Sequence, residues 1–146
     1  MKLEEKDLLL KDLCARLAYG VKIRTIETWS NDSNKIETLK DIFIPEDNIP
    51  RCGEGGIPIE YIKPYLFPMS SMTEEQKKEF IQYAEYDVEE TVCGRHYEYY
   101  LSDYVGTPEN PICNYNAIDW CNKNHFDYRG FIPMGLALDA TGLDIY

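Results

Sequence analysis

Leu10, Leu13, Cys14 and Leu17 recur at the i, i+3, i+4, i+7 spacing that lines one face of a helix, and Leu3 and Leu9 widen the stripe. Gly20 stands where such a helix ends in a left-handed cap. The period then changes. Val21, Ile23 and Thr25 alternate with Lys22 and Arg24, the pattern of a half-buried strand, and Ile26 breaks the alternation, which predicts a bulge or the strand's end there. Trp29 leads into a polar turn cluster at 30–34, and a second strand is expected over 36–44, stopped by Pro45. A loop follows over 45–56. Ile57, Ile59 and Tyr61 alternate with Pro58 and Glu60. Because Pro58 cannot donate to a ladder, this is an edge strand or a strand start. Pro64 and Pro68 limit the next stretch to extended chain.

The clearest helix start lies at Thr73. With Gln76 three residues on it makes a capping box, and Glu74 and Glu75 suit the positive end of the helix dipole. Phe80, Ile81, Ala84 and Val88 supply the buried stripe, which fades near Asp87. The stretch 96–104 is rich in tyrosine and reads as a strand, followed by a turn at 107–111. Asn114 or Asn116 is placed to cap a short helix over Ala117, Ile118 and Cys121. Asp127 is placed to cap a further turn, and a last helical piece is expected from near Gly130 with Pro133 in its first turn. There is no internal repeat and no βαβ rhythm. The expected fold is therefore α+β: a small, mostly antiparallel sheet packed with an N-terminal helix, a capped central helix and short C-terminal helices. At 146 residues the chain fits one domain, 1–146.

Composition narrows the function classes. Twenty-six acidic against fifteen basic residues give a formal charge of −11. That argues against a nucleic-acid partner, which demands a Lys/Arg footprint, and against docking on an anionic membrane. No run approaches 18 apolar residues, and the first residues lack the basic-then-apolar plan of a signal peptide. Five cysteines (14, 52, 93, 113 and 121) have no regular spacing, and reduced thiols in a cytoplasm are the simplest reading.

Three segments carry a resemblance. They are 11–17 with Tyr19-Gly20-Val21, 62–75 (IKPYLFPMSSMTEE) and 125–138 (HFDYRGFIPMGLAL). Together they resemble a family of short, functionally uncharacterised proteins from anaerobic gut bacteria and their phages or other mobile elements. The resemblance implies a bacterial or phage cytoplasmic domain and transfers no catalytic residue and no ligand.

The densest candidate chemistry lies at 119–130, where Trp120, His125, Asp127, Tyr128 and Arg129 fall close together. Each has an ordinary reading. Asp127 caps a turn, His125 ends a helix where its charge suits the negative pole, Arg129 pairs with Asp127 or Asp119, and Trp120 and Phe126 belong to the core. Cys93 with His96 and Cys121 with His125 suit tetrahedral zinc by residue type, yet their spacing matches no zinc module. A cysteine nucleophile beside either histidine is a further alternative. The glycines at 53, 55 and 56 are followed by Ile57-Pro58 and so make a turn, not a phosphate cradle. Tyr97, Tyr99 and Tyr100 sit in the window 74–103, whose nine acidic and three basic residues leave a net of −6. Phenols among carboxylates suit a protein-binding surface.

The chain is thus expected to be a non-enzymatic binding or interaction protein of a bacterium or its mobile element. Its binding residues are expected among Trp120, His125, Asp127, Tyr128, Arg129, Tyr97, Tyr99 and Tyr100, with no cofactor and with a protein or itself as partner. The alternatives are a small hydrolase-like enzyme built on His125, Asp127 and Arg129, and an acidic mimic that occupies a DNA-binding protein.

Overall fold

Thr73 and Gln76 close the reciprocal pair that their spacing predicts. Gln76 N–H donates to Thr73 Oγ1 at 3.2 Å, and Thr73 N–H donates to Gln76 Oε1 at 2.9 Å. Helix N-termini leave four backbone donors unpaired, and the box satisfies one of them while tying down the entering chain. It launches α2 (Glu74–Tyr83), whose Phe80 is buried. The computed structural model describes residues 1–26, 35–83 and 115–146. Trp29, the turns at 30–34 and 107–111, the expected fading of the helix near Asp87 and the tyrosine-rich stretch 96–104 lie outside the described residues.

Helix α1 (Leu3–Arg16) forms, but with its buried face turned relative to the expected stripe. Leu9, Asp12, Leu13 and Arg16 are buried, whereas Cys14 is exposed and Leu3 is 75% exposed. Two charged residues take the inner face because they neutralise each other and find partners deep in the fold. A short 3-10 turn (Leu17–Tyr19) follows, and Gly20 ends it at φ 67°, the left-handed cap its position predicts.

The main sheet runs β2-β1-β5-β6. β1 (Lys22–Thr25) pairs antiparallel with β2 (Ile36–Thr38) on one side and β5 (Ile62–Leu66) on the other. β6 (Leu138–Asp139) pairs parallel with β5. Pro64 lies opposite Ile23 in this interior strand, and β6 joins one residue later, at Tyr65 and Leu66. The position that lacks an N–H is therefore clear of the second ladder.

Strand β2 is much shorter than the expected 36–44, because Leu39 turns into the core and ends it. The stretch expected to be a loop holds a short strand, β3 (Arg51–Cys52), which pairs in a small hairpin with β4 (Ile57–Pro58) at the strand start expected there, and Phe43 bridges to Arg51 beside it. Gly53 and Gly56 sit at left-handed φ in its turn, closed by Gly56 N–H to Gly53 O at 3.0 Å. Ile59 and Tyr61 do not extend a strand. After Pro58 the chain makes a 3-10 turn (Ile59–Tyr61), with Ile59 N–H reaching Pro50 O at 3.0 Å.

Helix α3 (Tyr115–Lys123) buries Ala117, Trp120 and Cys121. Asn116 is inside this helix and so is not its cap, and Asn114 lies outside the described residues. The expected last helical piece is instead a series of turns through 131–135. Gly130 at φ 73°, Gly135 at φ 72° and Pro133 between them prevent a regular helix. The fold is α+β, and the described residues form two apolar clusters. One lies between α1 and the sheet, around Leu9, Leu13, Ile62, Leu66 and Phe131. The other joins α2 to α3, around Phe80, Trp120 and Phe126. Among the described residues no helix is long and apolar enough to cross a membrane.

Thr73→Ala removes one half of the capping box and is expected to lower stability by about 1 kcal/mol in urea denaturation, while Thr73→Ser stays close to wild type.

Candidate functional site

The 119–130 block is organised by the way α3 stops. Phe126 N–H donates to Cys121 O at 2.9 Å and His125 N–H donates to Asn122 O at 3.3 Å. These two reversed bonds make a Schellman motif with His125 at the left-handed position, φ 60°. A non-glycine residue there carries a conformational cost. Two bonds to Phe67 hold it in place: Phe67 N–H donates to His125 O at 2.9 Å, and Asp127 N–H donates to Phe67 O at 2.8 Å. Phe126 closes the motif by stacking on Trp120, with ring centroids 5.5 Å apart and planes 7° apart.

Arg16 then plugs the C-terminus of α3 from below. Its guanidinium is fully buried and donates to Phe126 O at 2.8 Å and Cys121 O at 3.4 Å. The same group holds Asp12, one turn earlier on α1, through Nε at 2.7 Å and Nη2 at 3.3 Å. Burial alone works against its charge, but Asp12 outweighs that and raises the Arg16 pKa above the ordinary arginine range. Arg129 approaches Asp12 from the other side at 3.1 Å, and both guanidinium groups sit over the Tyr128 ring, at 5.4 and 4.9 Å from its centroid. One fully buried carboxylate thus organises two arginines and a tyrosine.

Asp127 spends its carboxylate on the backbone. Its two oxygens accept from Phe131 N–H and Ile132 N–H, each at 2.8 Å. Burial nevertheless raises its pKa, against the lowering effect of those two donors and of Arg16. The expected capping role is present, and the expected pairing of Arg129 with Asp127 or Asp119 is not. Asp119 instead accepts from the Tyr19 hydroxyl at 2.7 Å.

His125 does end the helix, but not as a cation. Burial, with Arg16 and Lys22 nearby, pushes its imidazole down to about 4, so it is neutral at pH 7. Its ring stacks on Tyr146, with centroids 3.9 Å apart. Burial pushes the Cys121 thiol up to about 12 and the Cys52 thiol up to about 11, away from the thiolate an activated nucleophile presents. Among the described residues no group of three or more His, Cys, Asp or Glu is arranged to hold a metal ion. Cys93, His96, Cys113, Tyr97, Tyr99 and Tyr100 lie outside the described residues.

No family model, no curated protein and no solved structure matches the chain.

Trp120, His125, Asp127, Tyr128 and Arg129 therefore share one region but not one set of partners. Trp120 is core, Asp127 serves backbone, Arg129 serves Asp12, and the His125 ring stacks on Tyr146, while Trp120 Nε1, His125 Nδ1 and the Tyr128 hydroxyl are buried without a hydrogen-bond partner among the described residues. Three residues at the centre of this arrangement, Asp12, Arg16 and Tyr146, have no counterpart in the sequence-based candidates. A signal for two of them exists: Asp12 and Arg16 are four apart and interleave with Leu9 and Leu13.

Arg16→Met strips Asp12 of its main partner and is expected to cost about 3–5 kcal/mol in denaturant unfolding. Arg129→Met, at the partly exposed side of the same carboxylate, is expected to cost clearly less.

The unfolded chain takes up a proton on His125 near 6.5 and the folded chain near 4. Between those values the unfolded state binds more protons, so stability falls as pH drops through this window, by on the order of 2–3 kcal/mol. His125→Asn tolerates the left-handed backbone and does not titrate. The difference between wild type and this variant, followed by urea unfolding from pH 7 to 4, isolates the contribution.

Proposed function

We propose that this chain is a binding protein that recruits a protein partner through an apolar groove at the N-terminal end of α1. The supporting observation is a cluster of exposed apolar side chains. Leu3 is 75% exposed and Ile44 is 59% exposed, with Phe43 and Ile49 also exposed. Leu3, Leu10, Ile44, Ile49, Pro50 and Ile59 line a groove of about 430 Å³ between the helix and the hairpin region. Scattered single apolar residues are ordinary on a surface, whereas a grouped set around a concavity is characteristic of interaction sites.

The chemistry of the partner is set by the rim and the net charge. Lys6 is tied to Glu60, Asp7 stands at the edge, and the chain as a whole carries −11. An apolar anchor flanked by basic residues fits that field. The resemblance to short proteins of anaerobic gut bacteria and their mobile elements supports a bacterial or phage setting for the pair. The hydrolase-like alternative draws little support from His125, Asp127 and Arg129: Asp127 caps backbone N–H groups, Arg129 pairs with Asp12, and His125 stacks on Tyr146 with its Nδ1 bonded to neither of them.

The test is crosslinking capture from a lysate of such a bacterium with wild type and the Ile44→Glu/Ile49→Glu variant in parallel. A protein bound by wild type and released by at least about tenfold weaker binding in the variant, the cost of about 1.4 kcal/mol for losing apolar anchors, is the expected result. Identical capture by both forms, or none by the wild type, sinks the reading.

A further inference from the structure

Strands β1 and β5 pair at Thr25 with Ile62, Arg24 with Lys63, and Ile23 with Pro64. The next rung in that register joins Lys22 to Tyr65, and it is not closed directly. The hydroxyl of Tyr146 sits in it. Lys22 N–H donates to Tyr146 Oη at 3.0 Å, and the Tyr146 hydroxyl donates to Tyr65 O at 2.6 Å. A phenol oxygen thus replaces a direct N–H to C=O bond between two strands, using both its donor and its acceptor capacity.

The ring above that hydroxyl is equally well provided for. His125 covers one face at 3.9 Å between centroids, with planes 16° apart, and Phe67 stands at 5.7 Å, tilted by 52°. The left-handed turn at His125 fixes the first wall. Phe67 is fixed because its N–H and its C=O both bond into the 125–127 backbone. The walls therefore belong to the folded core, while the occupant arrives on the segment after Ala140. Leu143 N–H donates to Ala140 O at 3.1 Å, and Tyr146 is anchored through its side chain.

We propose that the split rung and the His125–Phe67 walls form a recognition slot for para-substituted phenols, filled in cis by Tyr146. A phenol supplied in trans, as a small tyrosine derivative or as Tyr146 of a second copy, takes its place when Tyr146 leaves. The slot discriminates by its polar end. A benzene ring without the hydroxyl leaves a strand N–H and a strand C=O unpaired, and sites of that kind reject the analogue that lacks the group. The slot is separate from the groove at α1, so either reading stands or falls without the other.

The experiment uses the full chain with Tyr146→Ala. Its Tm is expected to fall, and millimolar p-cresol is expected to restore part of that loss while toluene at equal concentration does not. Wild type is expected to show no gain with p-cresol, because its slot is filled. Equal rescue by p-cresol and toluene, or rescue by neither, overturns the proposal. If Tyr146→Ala does not fold, Tyr146→Phe carries the test. It keeps the ring and is expected to lower Tm by roughly 5 °C through the two unpaired strand groups, and an unchanged Tm overturns the proposal.

Two further arms separate the sources in trans. N-acetyl-L-tyrosinamide binding to Tyr146→Ala, with N-acetyl-L-phenylalaninamide inert, supports a small tyrosine derivative. A mixed dimer of Tyr146→Ala with wild type in native mass spectrometry, lost when p-cresol is added, supports exchange of Tyr146 between copies. Absence of both leaves no ligand in trans and overturns that half of the proposal.

Discussion

The buried pair of Asp12 and Arg16 is the constraint around which the other parts are arranged. A guanidinium with no exposure is tolerated only if its charge is matched and its donors are used. Asp12 supplies the charge, and the carbonyls of Cys121 and Phe126 take the remaining donors. Cys121 O belongs to the last turn of α3, at the negative end of its dipole, and Phe126 O lies just past the turn that stops it. α1 is therefore bound to α3 by polar bonds that have one satisfactory geometry, where an apolar contact would tolerate sliding. The rotation of α1, with Leu3 and Cys14 left outside, has the same origin.

The stopping geometry of α3 transmits that order to the sheet. The Schellman turn presents His125 O and Asp127 N–H to Phe67, directly beyond β5, and so lays the 125–127 backbone alongside the sheet in a parallel bridge. Asp127 then redirects the chain through Phe131 and Ile132 toward β6, which closes the sheet edge. Helix end, turn and strand are three consecutive consequences of one short sequence, residues 121–132.

The elements legible in the sequence are those whose cause is local. Thr73 and Gln76 carry their own hydrogen-bond partners, Gly20 carries its own conformational freedom, and Val21 with Ile23 carry their own alternation. The illegible elements depend on partners far along the chain. The i, i+4 spacing of Asp12 and Arg16 hints at their pairing, but nothing near Asp12 announces its second arginine, Arg129. The first strand of the hairpin, Arg51–Cys52, is hidden because a two-residue strand has no period to detect. Pro64 in an interior strand becomes intelligible only once β6 is seen to begin at Tyr65. In the candidate block the residue types point to the right region. Their division among separate partners is a property of the three-dimensional arrangement and leaves no trace in the spacing.

The wide separation of these partners bears on how the chain acquires its structure during synthesis. The bonds from Arg16 to Cys121 and Phe126 and from Arg129 to Asp12 span 105, 110 and 117 residues. When α1 leaves the ribosome, the groups that stabilise its inner charges have not yet been translated. The nascent helix must keep Asp12 and Arg16 in water until residues 121–129 have been made, so the hydrophobic cluster beneath α1 closes only after them. Contacts of that sequence separation form slowly, because the entropy of closing so long a loop must be met before the contact stabilises anything.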